Sequence, residues 1–318
     1  LEFPRAYGEL TSTAIFREQP EDFQVDEDLG FSPSGSGAPV FLHVRPRGTH
    51  TAWVAEKIAT LAGVNVNDVG YCGRKDRHAV TTQWFSVYLP KGPEPIWESI
   101  NSDSIQILAT SRHQQKLRRG DHQQNHFVIC LRNIKTDDRK LLEQKIEQVF
   151  SHGVPNYFGE QRFGRNGNNL LEAQAILVDG KRYRDKQKRG LMLSAARSFL
   201  FNQVLATRVS SGNWSQCLDD DIQRFPTGPL WGRGRSLVTG QLAELEQQVL
   251  DNWRDWCNGL EHAGLSQERR ALQLIPHNAA YQWHSDHLLL KFSLDAGEFA
   301  TAILRELSAL QTATALPE

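Results

Sequence analysis

Apolar and polar positions alternate along Phe23, Val25 and Glu27, which reads as a half-buried strand with one face toward the core. Val40-Phe41-Leu42-His43-Val44 reads as a second strand after a Gly/Ser/Pro-rich loop over 32–39. At Thr51–Leu61 the period lengthens: Trp53, Val54, Ile58 and Leu61 recur at helical spacing, and Gly63 supplies the stop. Strands are expected again at Trp84–Leu89, Ser104–Leu108 and Phe127–Leu131. Thr136-Asp137-Asp138 then opens a helix whose core face is Leu142, Ile146, Val149 and Phe150, ending at Gly153. From Gly153 to about Arg270 helical spacing dominates, in Leu170–Val178, Leu191–Val209 and Gln241–Leu260. The chain then returns to its first style. Tyr281–His284 and His287–Leu294 read as paired strands, and Phe299–Leu310 as a closing helix.

This order predicts an α+β core with a mixed or antiparallel sheet, built from 1–152 and 272–318, and interrupted by a mostly helical insertion over 153–271. No internal repeat or low-complexity tract is present. No apolar run approaches the length that spans a bilayer, and no basic-then-apolar signal segment opens the chain, whose first residue is Leu1 rather than Met. Cys72, Cys130, Cys217 and Cys257 are far apart with no Cys-x-x-Cys pair, which disfavours a zinc cluster and suits a reducing cytoplasm. Nothing in the sequence points to a membrane or to an obligatory protein partner.

With 36 basic and 37 acidic residues the net charge is −1, so global charge announces no polyanion. Local charge says more. Arg112, His113, Lys116, Arg118 and Arg119 cluster, as do Lys181, Arg182, Arg184, Lys186, Lys188 and Arg189. Such runs suit a phosphate-binding face, and they also suit an ordinary solvated loop. Acid collects at Asp219-Asp220-Asp221.

The densest chemistry lies in Tyr71–Trp84, where Asp76 sits among Arg74, Lys75, Arg77 and His78 behind the turn residue Gly73. Neighbouring cations favour an ionised carboxylate, and a positioned carboxylate is a nucleophile. A turn carboxylate capping its own loop would look the same in isolation.

Gly73-x-Lys75-Asp76-x-x-Ala79-Val80-Thr81-x-Gln83 resembles the signature of the TruD family of tRNA pseudouridine synthases. Further segments follow in the family's order: Pro20–Glu27, Asn125-x-Phe127 with Leu131-Arg132, Pro155–Gly164, Ser194–Asn202, Thr227–Leu230 and Gly297–Glu306. The chain departs at His50-Thr51, where an Asn-Thr pair is expected, and at Gln124, where Gly is expected. Its stretch over 219–227 is also short for the family. The resemblance implies a pseudouridine synthase-like core with an inserted domain, a tRNA substrate modified at uridine 13 of the D arm, and Asp76 as the nucleophile. It implies Arg17 as the cation that holds Asp76 ionised, although Arg74, Lys75 or Arg77 stand nearer in sequence. It also implies a uridine pocket formed by Phe23, Phe127 and Phe299, with Asn125 on the uracil edge. His78 is expected to be structural or to touch RNA.

The implied reaction is an isomerisation and requires no redox cofactor, nucleotide or metal. The sequence carries no dinucleotide or phosphate-loop fingerprint and no ligand cluster along the chain. Two rivals remain at this stage. One is a non-catalytic RNA-binding protein on the same fold. The other is a metal-dependent nuclease, which would need converging carboxylates, with Asp219-Asp220-Asp221 the only compact candidate.

Overall fold

The computed structural model describes residues 2–89 and 93–312. Contacts group the chain into two units. One comprises Thr11–Leu142, Pro276–Glu298 and the chain from Ser308. The other comprises the chain up to Leu10, Glu143–Ile275 and Phe299–Leu307.

The first unit holds strands β1 (Ser12–Phe16), β2 (Phe23–Asp28) and β3 (Pro39–Pro46), helix α1 (Thr51–Ala62), and strands β4 (Val69–Tyr71), β5 (Val80–Tyr88), β6 (Ile105–Arg112) and β7 (Gln124–Thr136). The division between units falls within helix α2 (Arg139–His152). The second unit then carries β8 (Val154–Pro155), α3 (Asn168–Leu177), α4 (Lys186–Ser210), β9 (Thr227–Leu230), α5 (Gly240–Leu250), α6 (Arg254–His262), β10 (Glu268–Ala271) and β11 (Gln273–Leu274). The chain closes with β12 (His277–His284), β13 (His287–Asp295), α7 (Ala300–Leu307) and β14 (Ala309–Thr312).

Among the described residues the first unit is built on a ten-stranded sheet, ordered β12-β13-β7-β2-β5-β3-β6, with β1 joining β7 and β14, and β4 joining β5. The sheet is mixed. β2 runs parallel to β5 and β1 parallel to β14, while the remaining pairs are antiparallel. The alternation in β2 is real: Phe23, Val25 and Glu27 are buried, and Gln24, Asp26 and Asp28 are exposed. β3 is buried on both faces. Val40, Leu42 and Val44 pack with Phe85, Val87 and the α1 residues Val54, Ala55 and Ile58. Phe41, one step out of phase, packs with Leu29, Cys72, Leu117 and Trp84. Helix α1 stops where expected, at Gly63, whose φ of 65° is the left-handed conformation that glycine adopts without a Cβ penalty.

The second unit is organised around α4, which buries Met192, Leu193, Ala196, Phe199, Leu200 and Val204 against Phe158, Phe163, Trp256 and Leu260. The first ten residues join this unit through specific bonds. The Ala6 amide donates to Glu306 Oε2 at 3.0 Å, and the Tyr7 hydroxyl donates to the Gly153 carbonyl at 2.7 Å. Phe3 stacks on Tyr157 at 5.3 Å.

Three helices differ from their expected spans, and the first is α4, which begins at Lys186 rather than Leu191 and so takes in the end of the basic run. The periodic run Gln241–Leu260 is divided at a 3-10 turn over Asp251–Trp253, where the Gln247 and Arg254 side chains both donate to Asp251 Oδ1. The break lets Trp253 and Trp256 both reach Phe199, at 4.8 and 5.8 Å. The expected closing helix Phe299–Leu310 ends at Leu307, and Ala309–Thr312 pairs with β1 instead. Strand pairing of four residues outweighs the continued helical periodicity there.

Candidate active site

Asp76 lies on the loop between β4 and β5, a part of the chain with no regular hydrogen bonding of its own. Side chains hold that loop in place. The Lys75 amide donates to Thr51 Oγ1 at 2.9 Å, at the first residue of α1. The Thr51 hydroxyl donates to Gln83 Oε1 at 3.0 Å, and Gln83 Nε2 donates to the Gly73 carbonyl at 3.3 Å. Gln83 is fully buried on β5, so the sheet and the start of α1 fix the loop from both sides.

The cation beside Asp76 is Arg17. Its Nη2 donates to Asp76 Oδ2 at 2.9 Å, with the two side chains 16% and 30% exposed. The Arg17 guanidinium lies 4.6 Å from the Phe16 ring centroid and 4.4 Å from that of Phe23, so it is aimed by aromatic packing on two sides. The Arg17 backbone has φ of 60°, a left-handed conformation that costs a non-glycine residue on the order of 1 kcal/mol. Among the described residues Asp76 Oδ1 accepts no hydrogen bond. One carboxylate oxygen is anchored and the other is open.

Lys75, the nearest cation in sequence, turns inward instead. Its Nζ lies 2.7 Å from Glu27 Oε2, with side-chain exposures of 8% and 0%. It also donates to Asn125 Oδ1. Register explains the meeting, because Glu27 on β2 stands directly opposite Asn125 on β7. An ammonium can only donate, so Asn125 Oδ1 must face it, and Nδ2 is left to donate to His122 Nε2 at 3.0 Å. Burial and the Lys75 charge both depress the His122 pKa, keeping the ring neutral and Nε2 an acceptor. Arg74, Arg77 and His78 are exposed.

The expected pocket residues divide between the units. Phe23 and Phe127 lie in the sheet with ring centroids 5.9 Å apart, and Phe127 stacks on Phe292 at 5.4 Å. They are only 4% and 7% exposed. Phe23 carries the guanidinium of Arg17, and Asn125 has both ends of its amide engaged within the protein. Phe299 belongs to the second unit, where the residue is 38% exposed and its ring lies 6.1 Å from that of Phe158. Phe16 and His122 were not singled out by sequence reasoning, and Thr51, Gln83 and Glu27 were named there as motif or strand residues without a role at the site. Their only signal is membership of buried strand or helix-start positions, which thousands of structural residues share.

The basic runs are less free than their charge suggests. Arg112 donates from Nε to Glu94 at 2.7 Å and from Nη1 to the Ala38 and Leu89 carbonyls, and Lys116 Nζ donates to the Asn67 carbonyl at 2.7 Å. Arg118 and Arg119 are exposed. Lys181 pairs with Glu172 at 2.7 Å, while Lys186 and Lys188 stand exposed on the first turn of α4, capped by Asp185. In the acidic run, Asp221 closes its own loop by accepting from the Leu218 and Thr227 amides.

One constellation is invisible along the chain. Glu27, Cys72 and His122 are buried with potential metal-ligand atoms within 4.8 Å of one another. Their chemistry suits a cation poorly. Burial first, and Glu27 next, push the Cys72 thiol up to about 12, so it remains protonated. Lys75 already sets a positive charge against Glu27.

The family model described as tRNA pseudouridine synthase D (TruD) matches residues 9–184 and 220–307. A curated tRNA pseudouridine synthase D from Cellvibrio japonicus is 56% identical over 314 residues, covering 98% of this chain and 94% of that protein. One from Aeromonas hydrophila is 45% identical, covering 95% of this chain and 92% of that protein. The crystal structure of a putative tRNA pseudouridine synthase D from Methanosarcina mazei shares the fold at a TM-score of 0.68 and 17% identity, covering 96% of this chain and 95% of that one. The chain belongs to the tRNA pseudouridine synthase D (TruD) family.

Proposed function

We propose that this chain isomerises uridine to pseudouridine in tRNA, at uridine 13 of the D arm, with Asp76 as the nucleophile. The family supplies the reaction class, which makes the protein an isomerase. The observation that carries the residue assignment is the carboxylate of Asp76, anchored through Oδ2 by Arg17 and open at Oδ1. The bond from C1′ to N1 breaks, the uracil turns, and C1′ joins C5, while a proton leaves C5 and N1 gains one. No atom enters or leaves overall. A carboxylate beside the ribose can attack, and the Arg17 guanidinium fixes its orientation through Oδ2. Phe23 serves from beneath by holding Arg17, Phe127 and Asn125 maintain the wall of the site next to Lys75, and the exposed ring of Phe299 is a platform for a nucleobase.

Arg17→Leu should lower kcat with little change in KM. The Arg17–Asp76 pair is worth about 1 kcal/mol at this exposure, or roughly fivefold in rate. Arg17→Lys should recover part of the loss. Steady-state kinetics on tRNA would count against the role if KM rose while kcat held.

Binding is a separate expectation. Lys186, Lys188 and Arg189 open α4, the two lysines exposed, and we assign them to RNA phosphates. Replacing all three by Ala should weaken tRNA binding and flatten its salt dependence by roughly 2–3 in the slope of log K against log salt. An unchanged slope would make this run a solvated helix start. The experiment that tests the functional reading as a whole is pseudouridine mapping in tRNA incubated with the purified protein.

A further inference from the structure

The segment around Phe158 in the second unit carries a pair of guanidinia to which the reading above assigns no role. Phe158, only 6% exposed, forms its floor. The Arg270 guanidinium lies 4.4 Å from the Phe158 ring centroid, and that of Arg162 lies 5.2 Å from it. The exposed ring of Phe299 completes the cluster, 6.1 Å from Phe158 and 5.9 Å from Arg270. All four belong to one unit. Gly159 permits the arrangement, because a Cβ there would stand 3.2 Å from Thr301 Oγ1 on α7, the helix that Phe299 precedes.

Two guanidinia on one ring repel each other, and they differ in the hydrogen bonding around them. Arg270 donates through Nη2 to Asn156 Oδ1 at 2.7 Å. Among the described residues no carboxylate and no hydrogen-bond acceptor meets the Arg162 side chain, which is half-buried. Burial alone lowers its pKa, with no acidic neighbour opposing the shift. A half-buried cation without a counter-ion is a standing cost that an arriving anion would remove. The planar forks of two arginines suit the oxygens of a phosphodiester, and the open Phe299 ring suits the face of a nucleobase attached to it.

We propose that Arg162 and Arg270 form a phosphodiester clamp for the RNA substrate, with Phe299 stacking a base of the nucleotide held there. The clamp deepens the tRNA reading above and rests on it. It assigns a binding task to the Pro155–Gly164 segment.

The test is tRNA binding by the full chain, read by fluorescence anisotropy over a potassium chloride series, for the wild type and for Arg162→Gln and Arg162→Lys. Gln keeps the stem on the ring and removes the charge. The clamp predicts that Arg162→Gln weakens binding about 5–10-fold and makes the slope of log K against log salt shallower by about 0.7–0.9, the release expected for one phosphate contact. Arg162→Lys should keep the slope. Thermal melting of Arg162→Gln should match or exceed the wild type, because an uncompensated cation has gone. Unchanged affinity and slope would overturn the clamp, and so would a fall in melting temperature with the slope intact, which would make Arg162 a packing residue. Turnover is read separately. A wild type that binds tRNA but forms no pseudouridine would sink the functional reading, and the slope difference would still decide the clamp.

Discussion

Asp76→Asn is expected to abolish pseudouridine formation, by on the order of 10⁴ or more, while leaving the protein folded and able to bind tRNA. The substitution keeps the shape of the side chain and removes its charge. What is lost structurally is one ion pair with Arg17, 30% exposed on the aspartate side, worth about 1 kcal/mol or less at such exposure. The Asn side chain keeps an oxygen that can accept from Arg17 Nη2, and the packing of the guanidinium on Phe16 and Phe23 is unchanged. The loop also keeps its position, because Thr51 and Gln83 hold it through the Lys75 amide and the Gly73 carbonyl rather than through Asp76. Loss of activity should therefore come without loss of melting temperature. Measurable turnover by pure Asp76→Asn protein would remove Asp76 from the chemistry.

The second large effect is on stability. Glu27→Ala should destabilise the protein by about 3–5 kcal/mol, because it leaves the Lys75 ammonium buried without its partner. For a unit of this size that is a fall of roughly 10 °C in melting temperature. The Trp84 amide loses its acceptor as well, since it donates to Glu27 Oε1 at 3.1 Å. Removing both charges is a different matter. The pair Glu27→Leu with Lys75→Met replaces a buried ion pair by apolar volume and should restore most of the stability. Activity should stay low in the double variant, because the Lys75 ammonium also holds Asn125 Oδ1. Calorimetry on the two single variants and the double variant checks this. Additive losses, with no recovery in the double variant, would mean the two charges do not act as a pair.

The proposed nucleophile was legible as a candidate because its motif is local. Gly73, Lys75, Asp76 and Gln83 lie within eleven residues, and so does the turn that presents them. The strand containing Glu27 was legible for a similar reason, since period-two alternation survives in a strand buried on one side. The support of the site was not legible. Arg17 and Asp76 are 59 residues apart, and Lys75 and Asn125 are 50 apart. Charge spacing along the chain made Lys75 as good a partner for Asp76 as Arg17, and only the β2–β7 register, which sets Glu27 opposite Asn125, turns Lys75 away. Phe299 was read with Phe23 and Phe127 because all three stand in family motifs. Their burial separates two packed rings from one open ring, and burial is a property of the fold rather than of the motif. The fourteenth strand was hidden because a four-residue parallel pairing with β1 leaves no periodic trace.

The most direct test of the central claim is position-resolved pseudouridine mapping in unmodified tRNA after incubation with the wild-type protein and, in parallel, with Asp76→Asn. The account predicts pseudouridine at uridine 13 with the wild type and none with Asp76→Asn. A wild type that leaves every uridine unchanged, or an Asp76→Asn protein that modifies the same site at a similar rate, would contradict it.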